Sequence, residues 1–257
     1  MPVSRDHTTT NALEVRGVGR CFGAFWAVQD ISLTVRPGER RAILGPNGAG
    51  KTTLFNVLTG DLAASSGTIA MNGLDVTRMP MHRRIKAGLR RTYQHAHLFD
   101  GLTVRETLFL AVSAIAGGWG RITPVRPGDG AVAKAEHLAR LAGLENDLGR
   151  EVASLSHGQR RQLEIGMALA ESPRILLLDE PAAGLSPSER PRLAALLLNL
   201  PRDITIVLIE HDMDIALKTS DSVTVMHNGR LLAEGGPKDI MSNDAVHDVY
   251  MGGANVR

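Results

Sequence analysis

Two stretches, Ile175 to Leu178 and Ile204 to Ile209, are apolar without the alternation of a half-exposed strand. That is the pattern of strands buried on both faces of a parallel sheet. Between them Ser186-Pro187-Ser188-Glu189 predicts a helix start, a capping box with proline at the first helical position. The N-terminal part reads differently. From Leu13 to Val35 short β-rich pieces alternate with turns, Pro37-Gly38 marks a further turn, and an apolar strand runs from Arg41 to Leu44. Thr68 to Met71 is a short strand followed by the hairpin dipeptide Asn72-Gly73, so this third of the chain predicts an antiparallel layer. Asn228-Gly229, flanked by Val223 to Met226 and Leu231 to Ala233, predicts a second hairpin.

From about residue 95 to 170 the text turns helical. Thr103 to Glu106 is a capping box, and Val104, Leu108, Val112 and Ile115 fall on one face of the helix it opens. A glycine- and proline-rich stretch, Gly117 to Gly130, predicts a loop. Helix resumes at Ala131 and again at Gln159, where Leu163, Met167 and Ala170 share a face before Pro173 ends the run.

Composition bounds the class. The 257 residues are 43% hydrophobic and 22% charged, which fits one globular domain with a full core and excludes a disordered or fibrous chain. We expect that domain over residues 12–250, with 1–11 a flexible N-terminus, 251–257 a C-terminal tail, and a helical subdomain of about 95–170 inserted in the core. A net charge of +2 shows no footprint of a dedicated nucleic-acid binder. The single cysteine, Cys21, excludes an internal disulfide framework and is compatible with a reducing cytosol. The start MPVSRDHTTT lacks a signal peptide's basic and apolar regions, and no run approaches the ~18 apolar residues of a membrane span. The expectation is a soluble chain not exported by that route.

Directly after the strand ending at Leu44 stands GPNGAGKTT, that is Gly45, Pro46, Asn47, Gly48, Ala49, Gly50, Lys51, Thr52 and Thr53. It fits GxxxxGK[ST] between strand and helix. Its glycines let successive N–H groups turn inward as a nest for phosphate oxygens, at the positive end of the helix beginning near Lys51. Lys51 would reach the β- and γ-phosphates, and the Thr52 hydroxyl would ligate Mg²⁺. The motif by itself leaves GTPase, kinase, helicase and transporter open.

The strand ILLLDEP, Ile175 to Pro181, delivers Asp179 and Glu180 at its C-terminal end, where α/β sheets hold ligands. Asp179 would hold the magnesium through its water shell, and Glu180 would polarise the attacking water as general base. Upstream, Leu155-Ser156-His157-Gly158-Gln159 opens a helix.

The order GPNGAGKTT, a glutamine in RTYQHAHLF, LSHGQ, ILLLDEP and a histidine in IEHDM resembles the ATP-binding-cassette (ABC) ATPase domain over nearly the whole chain from about residue 12. The resemblance implies a P-loop NTPase α/β core, largely parallel sheet with flanking helices, carrying an N-terminal antiparallel β layer and the inserted helical subdomain. It implies ATP and Mg²⁺ as ligands. Ser156 and Gly158, within the stretch Ser156 to Gln159, would contact the γ-phosphate held by the other subunit, so the site is completed only in a dimer. Gln94 resembles the Q-loop glutamine that reaches metal and attacking water, and His211 the switch histidine on the γ-phosphate. Phe22 is the candidate adenine-stacking aromatic, with Phe25 and Trp26 as competitors. Two positions depart from the family: His157 replaces a frequent glycine, and Ser186 a frequent aspartate that supports the subunit-to-subunit contact.

Other members of the class fit less well. The interval from Lys51 to Asp179 is too short for the long coiled-coil repair relatives, a single phosphate loop excludes twin-cassette translation factors, and no NKxD-type guanine reader is present. The phrases RTYQHAHLF, DEPAAGLSPSE, IEHDMD and a terminus near DVYMGG resemble the branched-chain amino-acid type of bacterial uptake ATPase. That resemblance implies a homologous second ATPase, two transmembrane permease subunits and an external solute-binding protein, with the chain peripheral on the inner face of the membrane. The alternatives are a lipid or lipopolysaccharide exporter and a soluble assembly ATPase.

Overall fold

The computed structural model describes residues 10–92, 98–115 and 130–251. The expected N-terminal flexibility of residues 1–9, the loop from Gly117 to Asp129, the tail beyond Met251, and Gln94 lie outside the described residues.

The first two strands, β1 (Leu13–Phe22) and β2 (Phe25–Val35), form an antiparallel hairpin across Gly23-Ala24. Gly17 and Gly19 lie inside β1 rather than in turns. Register shifts between Val15 and Val18 and on to Arg20 absorb them as irregularities, so each strand is longer than the sequence pattern suggests. After β3 (Arg40–Leu44) come α1 (Lys51–Thr59), β4 (Ser66–Met71) and β5 (Leu74–Asp75). The β4–β5 hairpin turns on Asn72 and Gly73, with φ of 49° and 79°, as a primed turn requires. A short α2 (Met81–Lys86) leads to β6 (Leu89–Thr92).

The helical stretch follows as α3 (Val104–Ile115), α4 (Gly130–Leu141) and α5 (His157–Leu169), which pack on one another. The Thr103 capping box is formed: Glu106 N–H donates to Thr103 Oγ1 and the Glu106 carboxylate takes the Thr103 N–H. Then come β7 (Ile175–Asp179), α6 (Arg190–Asn199), β8 (Thr205–Ile209), α7 (Met213–Thr219), β9 (Ser222–His227), β10 (Arg230–Gly235), α8 (Pro237–Met241) and α9 (Asp244–Met251). The predicted start of α6 is corrected. The helix begins at Arg190, because residues 187–189 form a turn: the Glu189 carboxylate takes the Ser186 N–H as a capping box requires, but the Ser186 hydroxyl donates to that carboxylate and the Glu189 N–H goes to the Ser186 carbonyl.

Two sheets result. The antiparallel one has the order β2-β1-β4-β5, and the larger one β10-β9-β3-β8-β7-β6, parallel throughout except for β10. The continuous apolar strands are buried on both faces. Leu176, Leu178, Ile206 and Leu208 join the core shared with α3, α4 and α5, whereas Ile175, Leu177, Val207 and Ile209 join the core shared with α1 and the antiparallel sheet. The strand ends at Leu44, Asp179 and Ile209 thereby converge on one edge of the larger sheet.

Candidate active site

The phosphate loop leaves β3 at Leu44 and enters α1 at Lys51. Gly45 and Gly50, at φ 154° and 96°, are required: a Cβ would lie 2.3 Å from the Met226 carbonyl oxygen or 2.4 Å from that of Ala27. The β9–β10 turn braces the loop from behind, since Gly229 N–H donates to the Ala49 carbonyl at 3.1 Å. Lys51 is buried, and its Nζ donates to the carbonyls of Gly45 (2.6 Å) and Pro46 (3.1 Å). Burial lowers its pKa, against the pull of Glu180 and Asp179, which favour the charged form. The lysine therefore shares a field with both acids. Thr52, next along, is exposed.

Asp179 ends β7 and is 3% exposed. Its Oδ2 accepts from Arg91 Nη2 at 2.5 Å, while its Oδ1 is buried without a hydrogen-bond partner among the described residues. Arg91 also donates to Asn56 Oδ1 (2.6 Å) and lies over the Phe55 ring, which ties β6 to α1 beneath the site. Glu180 follows with φ 44°, the left-handed region that a glutamate seldom occupies. Its N–H donates to the Ile209 carbonyl at 3.0 Å. His211 Nδ1 stands 3.9 Å from Glu180 Oε2, and the imidazole is half-exposed. The structure thus brings together Lys51, Asp179, Glu180 and His211 as the sequence suggested.

The Ser156 segment is built separately. Ser156 caps α5 in a reciprocal box: Gln159 N–H donates to Ser156 Oγ at 3.2 Å, and Ser156 N–H donates to Gln159 Oε1 at 3.1 Å. Ser156 Oγ and Gly158 N–H both donate to Glu189 Oε1, at 2.8 and 2.9 Å. The replacement at His157 is accommodated because its exposed ring lies over Gly184, where a Cβ would come within 3.0 Å of Nε2. From the same helix Arg161 Nη2 donates to the Asp179 carbonyl at 2.7 Å, linking α5 to the end of β7. Phe22 is 46% exposed with the Arg20 guanidinium 4.7 Å from its ring centroid. Trp26 lies against Gly19 instead.

Sequence reasoning gave no site role to Arg91, to Glu210 or, beyond a helix cap, to Glu189. Each lies inside a quoted string, RTYQHAHLF, IEHDM and DEPAAGLSPSE, and a charged residue within such a string is the signal that was present.

An α/β fold with GPNGAGKTT after β3 and two consecutive acids at the end of β7 in the same sheet defines a P-loop nucleotide-binding protein. The chain matches the ABC transporter family over residues 28–183, and it belongs to that family. It is an ATP-hydrolysing subunit of an ABC transporter. It is 37% identical over 250 residues to the high-affinity branched-chain amino acid transport ATP-binding protein BraF of Pseudomonas aeruginosa, covering 94% of this chain and 98% of the relative. Identity is also 37% over 255 residues to LivG of Escherichia coli, the protein of the same description, with the same coverage. The ADP conformation of MJ1267, an ATP-binding cassette of an ABC transporter, superposes with a TM-score of 0.83 at 32% identity, covering 95% of this chain and 100% of that one. A nucleotide-free cassette from an ABC transporter gives 0.81 at 31% identity, covering 93% of this chain and 98% of that one.

Proposed function

We propose that this chain drives a membrane importer of branched-chain amino acids or related small solutes, working as one of two paired ATPase subunits beside two permease subunits and an external solute-binding protein. Full-length similarity to BraF and LivG supports the importer class. No helix among the described residues is long and apolar enough to cross a membrane, which accords with a peripheral place on the cytoplasmic face.

One observation carries the site assignment: the buried Oδ1 of Asp179, without a hydrogen-bond partner among the described residues, beside Glu180 and in the field of Lys51. Buried carboxylate oxygens are seldom left unpaired. Magnesium takes one or two protein ligands together with phosphates and waters, so the exposed Thr52 hydroxyl, with this oxygen on the ion's water shell, fits it; the family resemblance adds Gln94, which lies outside the described residues. When bound, the ion would neutralise charge on the phosphate oxygens. The N–H groups of the phosphate loop, Pro46 having none, bind the phosphates, and Lys51 exchanges the carbonyls of Gly45 and Pro46 for the β- and γ-oxygens. Glu180 accepts a proton from the attacking water, His211 meets the γ-phosphate, and Phe22 stacks on adenine.

Ser156 and Gly158 act on the nucleotide held by the partner subunit. In this chain they already hold an anionic oxygen, that of Glu189, which supports reading them as an oxyanion site. Pairing then requires Glu189 to release them.

Deleting the gene from its host and measuring uptake of radiolabelled leucine tests this reading. Uptake should fall and return with the wild-type chain but not with Lys51→Ala. Unchanged uptake of leucine and of other small solutes would contradict the importer reading. Capture from detergent-solubilised membranes should then return a permease pair.

A further inference from the structure

Glu210 stands between Ile209 at the end of β8 and His211, and it is fully buried. Its Oε1 accepts the Ala182 N–H at 2.9 Å, its Oε2 has no well-formed hydrogen bond among the described residues although the carboxyl lies by the N–H groups of His211 and Asp212, and its own N–H donates to the Ile43 carbonyl of β3 at 3.2 Å. Burial pushes its pKa up to about 7, against the backbone N–H groups of Ala182, Asp212 and His211, which favour the ionised form; the nearby Asp212 charge adds to the rise. A carboxyl in such a place is unfavourable unless its contacts matter elsewhere.

Its contact is with the loop that carries the candidate base. Ala182 lies two residues beyond Glu180, whose positive φ needs support from its surroundings. Among the described residues that support includes three hydrogen bonds. Glu180 N–H donates to the Ile209 carbonyl, Ala183 N–H donates to the Glu180 carbonyl at 3.0 Å, and Ala182 N–H donates to Glu210. The first and third come from the end of β8, which also carries His211. One buried side chain therefore joins the loop after Glu180 to the strand end before His211, and those two side chains face each other at 3.9 Å.

We propose that Glu210 is a positioning residue for ATP hydrolysis: its carboxyl clamps the Glu180 loop to the end of β8, holding Glu180 and His211 in register. This rests on the roles proposed above for those two residues. Glutamine keeps the length of the side chain and the oxygen that accepts from Ala182. Leucine fills the space but offers no acceptor, and aspartate keeps the acid but withdraws it from Ala182. A displacement of about an ångström at a reacting group costs on the order of 100-fold in rate, so the clamp predicts a defect in turnover rather than in binding.

The test is steady-state ATPase kinetics on the full chain carrying Glu210→Gln, Glu210→Leu or Glu210→Asp, with ATP affinity measured by titration of a fluorescent analogue and folding by thermal melting. Glu210→Gln should stay within about threefold of the wild-type kcat. The Leu and Asp variants should lose at least about tenfold in kcat, with KM and nucleotide affinity within about threefold of wild type. If the Leu variant does not fold, the Asp variant decides alone. Wild-type kcat in Glu210→Asp or in a folded Glu210→Leu would overturn the clamp. So would equal losses in the Gln and Asp variants, or losses of nucleotide affinity that match the losses of kcat. Glu180→Gln is assayed in parallel. If it turns over at the wild-type rate, the reading of Glu180 fails; if it is inactive while the Asp variant is normal, the clamp alone fails.

Discussion

Glu189 Oε1 accepts from both Ser156 Oγ and Gly158 N–H, at 2.8 and 2.9 Å, so a carboxylate of the same chain holds the two free donors at the start of α5. The other oxygen accepts the Ser186 N–H and hydroxyl. The Ser186 hydroxyl and these further donors hold the acid down at about 2, so it is ionised throughout the neutral range. Closure onto a partner's ATP is thus an exchange of one oxyanion for another.

Removing the resident anion should ease that exchange. Glu189→Ala is tolerable in the fold, because Glu189 makes no side-chain cap bond to α6. In ATPase assays across a dilution series, the variant should reach half-maximal specific activity at a lower protein concentration than wild type. An unchanged or higher midpoint would show that Glu189 does not compete for these donors.

Lys51→Ala and Ser156→Ala should fail in different ways. The lysine acts within its own chain, and a hydrogen bond to a charged group is worth about 1.5–3 kcal/mol, so ATP affinity of the isolated chain should fall roughly 10- to 150-fold. The serine serves the partner's nucleotide, so Ser156→Ala should bind ATP normally and lose hydrolysis. Equal affinity losses in isothermal titration would contradict the trans arrangement.

Arg91 and Asp179 are a buried pair, with side chains 8% and 4% exposed. Breaking such a pair on one side costs about 3–5 kcal/mol. Arg91→Met should lower the unfolding free energy in urea by that order, and ATP with magnesium should recover part of the loss by restoring a cation to Asp179. A loss below about 1 kcal/mol would show that the pair does not hold Asp179 in the folded chain.

Glu210 sets a pH dependence of stability. Its folded pKa of about 7 lies above the ordinary 4.5, so its contribution is full below about pH 4.5 and is lost as pH rises through about 7. Ionising it at pH 8 costs up to about 3 kcal/mol. The stability of Glu210→Gln relative to wild type should therefore rise between pH 5 and pH 8 in urea unfolding. A constant difference would mean that the carboxyl does not titrate in that window.

Much of this architecture was legible because its causes are local. Asn72-Gly73 and Asn228-Gly229 turn hairpins since both asparagines accept a positive φ, and the unbroken apolar runs at Ile175 and Ile204 are strands with two buried faces. Locality also explains the misses. The stretch from Leu13 to Val35 reads as short pieces broken by turns, but pairing with β2 and β4 carries β1 unbroken through Gly17 and Gly19. The helices α2, α7, α8 and α9 are too short to display a helical period. Ser186 to Glu189 has the local spelling of a capped helix start, and Glu189 Oε2 does take the Ser186 N–H and hydroxyl, yet its other oxygen bonds to residues 33 and 31 positions away and the helix waits until Arg190. Arg91 finds its acid 88 residues downstream, and Glu210 its amide 28 residues upstream. No local pattern announces such partners.

The central claim is that Glu180 is the base of a site completed by Ser156 and Gly158 of a second subunit. Glu180→Gln keeps the side chain's size but cannot accept the water's proton, so it should bind ATP and fail to hydrolyse it. ATP trapped between the two subunits stabilises the closed pair by mass action. Light scattering of the variant with ATP and magnesium, alone and mixed with its homologous partner ATPase, should show a dimer that is absent with ADP. A variant that hydrolyses ATP at the wild-type rate, or that stays monomeric with ATP in both samples, would contradict the account.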